Sequence, residues 1–363
     1  MPWPRDNLWL SGKGNMLKSY LDDLEDRIDP AVEDELLAGW KAFSDGAWNG
    51  GLFSPRRSQQ SPPGIQWPRV PVNDALEDFD RMALQQFSGC AAALAGGSGA
   101  ILNVRANYGT AILPSLFGAE LFIMDAELDT LPTTRPLPGG AAAIQRLLDA
   151  GVPNLNTGYG ARCFAMGQYF VDLMADYPKI SRYVHIYHPD LQGPMDVCEL
   201  LWGSGVFLDL MDRPDLVKSL LDLITETYTQ FLDRWHTIAP PQNGYAAHWS
   251  MFHKGRIMIR DDSAMNLSPD MFETFIAPYD QQLLDRFGGG GIHFCGRGDH
   301  YIRHVGQMPG LHAVHMSQPE YNKLDTIFEH TVDRGVRLIG LRRDAAEAAI
   351  ADGRELHGNV HCW

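Results

Sequence analysis

The sequence predicts an α/β protein: a (β/α)8 barrel preceded by an N-terminal helical extension and a long loop. Three observations carry that expectation. Apolar, β-rich runs alternate with amphipathic helical stretches along most of the chain, which gives about eight strands. The length of 363 residues suits one such barrel. No G-x-G-x-x-G follows the first strand, so a doubly wound dinucleotide-binding sheet loses its best signal; Gly96-Gly97-Ser98-Gly99 precedes its strand instead. The division that follows is residues 1–74 for the extension and loop, and residues 75–363 for the barrel.

Two helices come first. Met16, Leu17, Tyr20, Leu21, Leu24 and Ile28 recur at helical spacing, as do Val32, Leu36, Leu37, Trp40 and Phe43 after Pro30. Residues 44–74 read as a long loop rich in glycine and proline. Its Trp48, Phe53, Arg56, Arg57 and Trp67 are unusual for a disordered linker, so an ordered segment wrapped on the barrel is expected. Leu76 to Phe87 is helical. Ala100 to Val104 reads as the first strand, and Ile112 to Phe117 as an apolar turn or short helix. Ala141 to Leu148 is a helix closed by Gly151. Asn154 to Thr157 is assigned as a short strand, Arg162 to Asp176 as a helix, and Tyr183 to His188 as an alternating strand.

Pro214 starts a long helix whose Leu216, Leu220, Ile224, Phe231 and Trp235 form one stripe. Ile257 to Ile259 is a strand ending in Asp261-Asp262. Ser268-Pro269 caps and opens the next helix, which Pro278 should kink. Strands at Ile292 to Phe294, Ala313 to Met316, Arg337 to Gly340 and Gly358 to Cys362 follow, with helices from Pro319 and Asp344 between them.

Composition bounds the function. A formal charge of −15 argues against nucleic acid or an anionic membrane as partner, since both are held by basic patches. Five cysteines, an odd number without C-x-x-C, point to a reduced, cytosolic protein. Residues 1–15 are polar and hold no signal-peptide core, and no apolar run is long enough to span a bilayer.

In a barrel, chemistry sits at the C-terminal ends of the strands. Arg105 and Asn107 follow the first strand, His188 and Asp190 a later one, and Asp261, Asp262 and Ser263 the next. His315 and Gln318, with Tyr321 and Asn322, follow the sixth. Between them stands Gly288-Gly289-Gly290-Gly291-Ile292-His293-Phe294-Cys295-Gly296. Strand alternation puts His293 and Cys295 on one face. An imidazole and a thiol side by side suit zinc, or a Cys–His nucleophile pair, or no more than a buried thiol beside a satisfied histidine. If the strand count holds, Cys362 faces the same mouth. His293, Cys295 and Cys362 would then be three ligands of an open, catalytic type of zinc site, its fourth position free for a substrate thiol.

Several stretches together resemble the uroporphyrinogen decarboxylase superfamily. They are Asp261-Asp262-Ser263, Leu267-Ser268-Pro269, Phe272, Phe275, Pro278-Tyr279 and Ile292-His293-Phe294-Cys295-Gly296, supported by Ile112 to Gly118, Gly193-Pro194 and Arg213 to Val217. The resemblance spans roughly residues 75–362. It implies a (β/α)8 barrel and one of two activities: metal-free decarboxylation of a porphyrinogen, or zinc-dependent methyl transfer between a corrinoid protein and a thiol. The decarboxylase branch departs from this chain at the positions that matter. Its early R-Q-A-G-R-Y string is absent, Gly109 stands where its catalytic aspartate falls, and Leu200 where its site tyrosine falls. The methyltransferase branch carries H-x-C and a cysteine near the C-terminus, which His293, Cys295 and Cys362 match.

The leading expectation is therefore zinc-dependent methyl (alkyl) transfer to or from a small-molecule thiol, with a corrinoid protein as possible partner and a homodimer as possible assembly. Asp262, His188 and Arg105 are the expected catalytic residues; Asn107, Asp261, His315, Gln318, Tyr321 and Asn322 the expected substrate contacts. The rivals are a metal-free lyase acting on a tetrapyrrole or other carboxylate, and a protein that binds a corrinoid or tetrapyrrole without chemistry.

Overall fold

The computed structural model describes residues 14–363, with side chains from Leu17 onward. The polar start of the chain and the Met16 side chain lie outside the described residues. Helices Gly14–Arg27 and Pro30–Ser44 are the two expected N-terminal ones. Asp29 caps the second by accepting from the Ala31 amide, and Pro30 sits at its first position, where a missing N–H costs nothing.

Eleven strands follow in the described residues. They are β1 (Asn103–Val104), β2 (Glu120–Phe122), β3 (Thr133–Arg135), β4 (His185–Ile186), β5 (Tyr245–His248), β6 (Met251–Lys254), β7 (Ile257–Arg260), β8 (Gly290–Phe294), β9 (Leu311–Met316), β10 (Arg337–Leu341) and β11 (Val360–Cys362). β7 to β11 form a five-stranded parallel sheet in the order β11-β10-β9-β8-β7, and β1 pairs with β4 as a separate parallel pair. β2–β3 and β5–β6 are antiparallel pairs. The strands thus make a mixed α/β protein whose sheets are not joined into a closed ring by strand pairing among the described residues.

Non-strand segments span the two gaps. Between β11 and β1 runs the long loop. Phe53 pairs in parallel with His361, its amide donating to Val360 O and its carbonyl accepting from Cys362 N. Arg56 pairs with Ser98, and the Arg57 amide donates to Gly97 O just ahead of β1. The loop is therefore ordered, as its aromatics and arginines suggested. Arg57 locks it down: its guanidinium is buried against Glu33 of the second helix, Nε to Oε1 at 2.6 Å and Nη2 to Oε2 at 2.8 Å, and Nη1 donates to Ser98 O.

The gap between β4 and β7 is spanned by His188, whose Nε2 accepts from the Met258 amide at 3.1 Å, and by the Gly193 amide donating to Arg260 O at 2.7 Å. The β5–β6 hairpin packs against β8 and β9, and its tip reaches Ile101, whose amide donates to Ser250 O at 2.7 Å. Met251 and Phe252 of this hairpin share a buried cluster with Trp40, Phe43, Phe53, Met258, Ala313 and Ile339. The N-terminal extension, the hairpin and the sheet interior are thus one apolar unit.

Several local expectations need correction. Asn154 to Thr157 is a turn, because Asn154 Oδ1 accepts from the Asn156 amide and bends the chain into helix Gly158–Met174. The hairpin β5–β6 was not anticipated. Nor were the β2–β3 pair and helix Pro178–Tyr183, which takes the start of the strand expected from Tyr183 to His188. Ser268 caps helix Pro269–Phe275 through the Met271 amide, and the helix breaks at Ile276, two residues before Pro278, where Ala277–Phe287 begins. Among the described residues no helix is long and apolar enough to cross a membrane.

Candidate metal centre

The site forms where β7, β8 and β9 end. Arg260 of β7, His293 of β8 and His315 of β9 lie in register across the sheet. Cys295 follows β8 by one residue, on the same face as His293, and its amide donates to Asp262 Oδ1 at 2.8 Å, which ties the Asp262 turn to the strand end. His293 Nε2 lies 3.4 Å from Cys295 Sγ and 3.6 Å from Asp262 Oδ1. One ligand atom from each of the three residues falls within 4.8 Å of the others, and among the described residues this is the one such group of three. Metal–ligand bonds of about 2.0–2.3 Å at tetrahedral angles place donors about 3.3–3.7 Å apart, so the two measured separations fit the edges of a zinc site.

The surroundings fix this geometry. His293 Nδ1 hydrogen-bonds His315 Nδ1 at 2.8 Å, which leaves Nε2 directed at the thiol and carboxylate. The Trp249 ring packs on both imidazoles, 4.7 Å from His293 and 5.2 Å from His315 between centroids, and the Arg260 guanidinium lies 4.7 Å over the same ring. Trp249 and Ser250 form the hairpin tip, both with positive φ (44° and 64°), the conformation a two-residue type I′ turn demands and that side-chain-bearing residues seldom adopt. Gly340 bulges out of β10 with φ 74°; a Cβ there would lie 2.8 Å from His315 Nε2, so the bulge makes room for that ring.

The electrostatics suit a cation. Burial pushes the Cys295 thiol up to about 12, with the Asp262 carboxylate beside it adding to the rise. Burial also holds Asp262 above the ordinary carboxylate range and His293 well below the ordinary imidazole. Two acids that resist ionisation, next to a neutral imidazole, form a site whose deprotonated state calls for positive charge. The same burial disfavours a Cys–His ion pair, since thiolate and imidazolium are both the suppressed forms.

The other expected residues divide. Asp262 joins the donor group itself. His315 orients His293. Gln318 Oε1 accepts from the Gly296 amide at 2.6 Å, and Asn322 holds the 296–299 turn through Gly298 N, Asp299 N, Gly296 O and Gln318 O, so both shape the loop. Arg105 reaches Asp190 at 3.5 Å, and Asp190 also holds Arg260 at 2.5 Å. Asn107 Oδ1 is buried without a hydrogen-bond partner among the described residues, and Tyr321 is exposed.

Three placements depart from expectation. His188 has both ring nitrogens engaged by backbone, Nδ1 to Pro189 O at 2.8 Å and Nε2 to Met258 N, so it bridges the sheet gap and has no nitrogen for proton transfer. Asp261 is fully buried beside Asp280, which together with burial holds its carboxyl high; it contacts no open space. Cys362 is apart from His293 and Cys295. Leu338 pairs with Val360, so His361 falls in line with Ile339, His315 and His293, its Nδ1 accepting from the Gly340 amide, and Cys362 alternates to the other face, toward Ser54 and Arg343. A one-residue change of register exchanges the two faces of a strand. Arg260 and Trp249 escaped the sequence reading, which had Asp190 as a strand-end carboxylate only: Arg260 sits inside an apolar run, and Trp-Ser is not a recognisable hairpin tip.

Burial of imidazoles sets a pH dependence. His185, His188, His248, His253, His293 and His361 are buried. Burial lowers His185 and His253 to about 4, His361 to about 3, and the others well below 6.5. Below 6.5 the unfolded chain binds protons that the folded protein refuses, so stability falls with pH through that window. Three buried carboxyls, Asp196, Asp261 and Asp280, are raised by burial and offset part of this, because the folded state keeps protons there that the unfolded chain releases. The imidazoles outnumber the carboxyls, so the balance is a loss of stability on acidification from about pH 6.5 to pH 5. Urea denaturation of metal-free protein at the two pH values checks it; a flat or rising stability on acidification contradicts it.

No protein-family model matches the chain, and no curated protein matches it. Among solved structures it is similar to a methyltransferase from Methanosarcina mazei. The match covers 81% of each chain with a TM-score of 0.59 at 18% sequence identity. At that identity the likeness is one of fold.

Proposed function

We propose that this protein is a zinc-dependent methyltransferase of the uroporphyrinogen decarboxylase superfamily that moves a methyl group between a corrinoid, carried by a partner protein, and a small thiol. The observation that carries this reading is the donor group Asp262, His293 and Cys295 at the C-terminal strand ends. The fold shared with a methyltransferase and the H-x-C stretch both support it. In the same reading the parallel strands form a (β/α)8 barrel, with residues 53–57 and the His188 bridge standing in at its two gaps. Residues 1–74 are the extension to it.

Asp262, His293 and Cys295 would hold the ion. Zinc bound there supplies a Lewis acid that keeps a substrate thiol ionised at neutral pH. This chain's residues do the rest. With Nε2 of His293 turned to the donor group, its Nδ1 carries the proton and donates to His315, which fixes tautomer and ring plane. Trp249 walls off the inner side of both rings and excludes water from that side. Arg260, anchored by Asp190, puts a fixed positive charge near the site, which favours the anionic thiolate.

The metal-free decarboxylase reading finds less support. Gly109 has φ 66°, and a Cβ there would fall 2.6 Å from Pro132 O, so the backbone at that position has no room for an aspartate. His188 is engaged on both nitrogens. The test is to incubate the zinc-loaded protein with methylcobalamin and a small thiol, and to follow thioether and cob(I)alamin. Product that depends on zinc is expected; none above the metal-free control contradicts the proposal. His315→Ala should weaken zinc binding by about 10–100-fold with the fold intact, as loss of an orienting hydrogen bond does. Unchanged affinity in a competition titration would remove His315 from this role.

A further inference from the structure

Behind the gap between β4 and β7 lies a cavity of about 250 Å³, lined by residues 184–188, by the C-terminal end of helix Pro214–Ile238, by β5 and by Arg256. None of the three metal donors lines it. It sits toward the start of β7, where Arg256 precedes the strand, whereas Asp262 and Cys295 follow the ends of β7 and β8.

Three of its polar side chains have no hydrogen bond among the described residues. His185 is 8% exposed and its ring makes no hydrogen bond among the described residues; its one ring contact is the edge of Phe252. His236, on the long helix, also lacks a hydrogen-bond partner among them and feels the Arg256 charge. The Arg256 guanidinium is exposed at the mouth and forms no hydrogen bond or ion pair among the described residues, in a chain of net charge −15. Met174 and Trp235 supply apolar wall. A free guanidinium beside an apolar hollow is what a carboxylate with an apolar body matches.

We propose that this cavity is a second ligand site, for a small carboxylate with a compact apolar body: the carboxylate pairs with Arg256 at the mouth and the body lies against Trp235 and Met174, within reach of His185. One guanidinium matches one carboxylate through two parallel hydrogen bonds, whereas a phosphate dianion asks for more cationic donors than the cavity offers. The volume is at the small end for ligand pockets, which limits the body to about the size of a single ring.

Calorimetric titration of the full-length protein with sodium benzoate tests this, with benzamide as the uncharged control. Saturable one-site binding at a Kd of about 1 mM is expected for so small a probe. Arg256→Ala and Arg256→Gln, both at an exposed position that leaves folding intact, should weaken it by about tenfold or more. Cys295→Ser should leave it unchanged. The proposal is overturned by no saturable binding up to about 20 mM, by equal affinity for benzamide, or by equal affinity in both Arg256 variants. Loss of binding in Cys295→Ser with retention in the Arg256 variants also overturns it, because that places benzoate at the metal centre.

Discussion

Arg57→Ala is expected to destabilise the protein by about 3–5 kcal/mol, the cost of leaving one partner of a buried ion pair alone. The side chains of Arg57 and Glu33 are 1% and 5% exposed, and two parallel hydrogen bonds join them. Removing the guanidinium strands the Glu33 carboxylate in the interior. It also frees Ser98 O and loosens the segment that spans β11 and β1. The double variant Arg57→Met with Glu33→Leu should recover much of the loss, because apolar groups of similar size need no partner. Urea unfolding curves measure both. A loss under about 1 kcal/mol for Arg57→Ala would mean that the loop is dispensable to the fold.

Cys295→Ser is expected to weaken zinc binding by at least about 100-fold, more than loss of a mere orienting contact. A serine hydroxyl does not ionise to replace the thiolate. Folding should be untouched, since the Sγ meets a hydroxyl at 3.6 Å, the His293 ring and the Asp262 carboxylate, all at the strand ends and outside the apolar core. Cys362→Ala makes the contrast. Its thiol faces Ser54 and Arg343, so zinc affinity should stay at the parent value. Competition with a chromophoric chelator reads both variants. Equal retention of zinc by Cys295→Ser and the parent, or its loss in Cys362→Ala, would reverse the assignment.

How much of this could be read from the residues depends on the range of the interaction. Ser268-Pro269 and Asp29-Pro30 announce helix starts by chemistry within four residues, and both act as caps. His293 and Cys295 share a face because a strand alternates, which needs no tertiary knowledge. Asp262 was legible as a strand-end carboxylate; that it approaches the imidazole depends on the Cys295 amide, 33 positions away. The face of Cys362 was not legible because the pairing of Val360 with Leu338 sets it, and a pairing register is not visible in the strand that takes it. Trp249 was invisible for a different reason: its tip conformation is held by the tertiary contact of Ser250 with Ile101, against local preference. The loop at 53–57 carried the right residues, but pairing partners some 40 and 300 positions away could not be named from them.

Metal analysis of the protein purified without a histidine tag decides whether Asp262, His293 and Cys295 hold zinc. About one zinc per chain is expected, retained through gel filtration and released with the loss of Cys295. A parent protein that carries no zinc and takes up none on titration would contradict it.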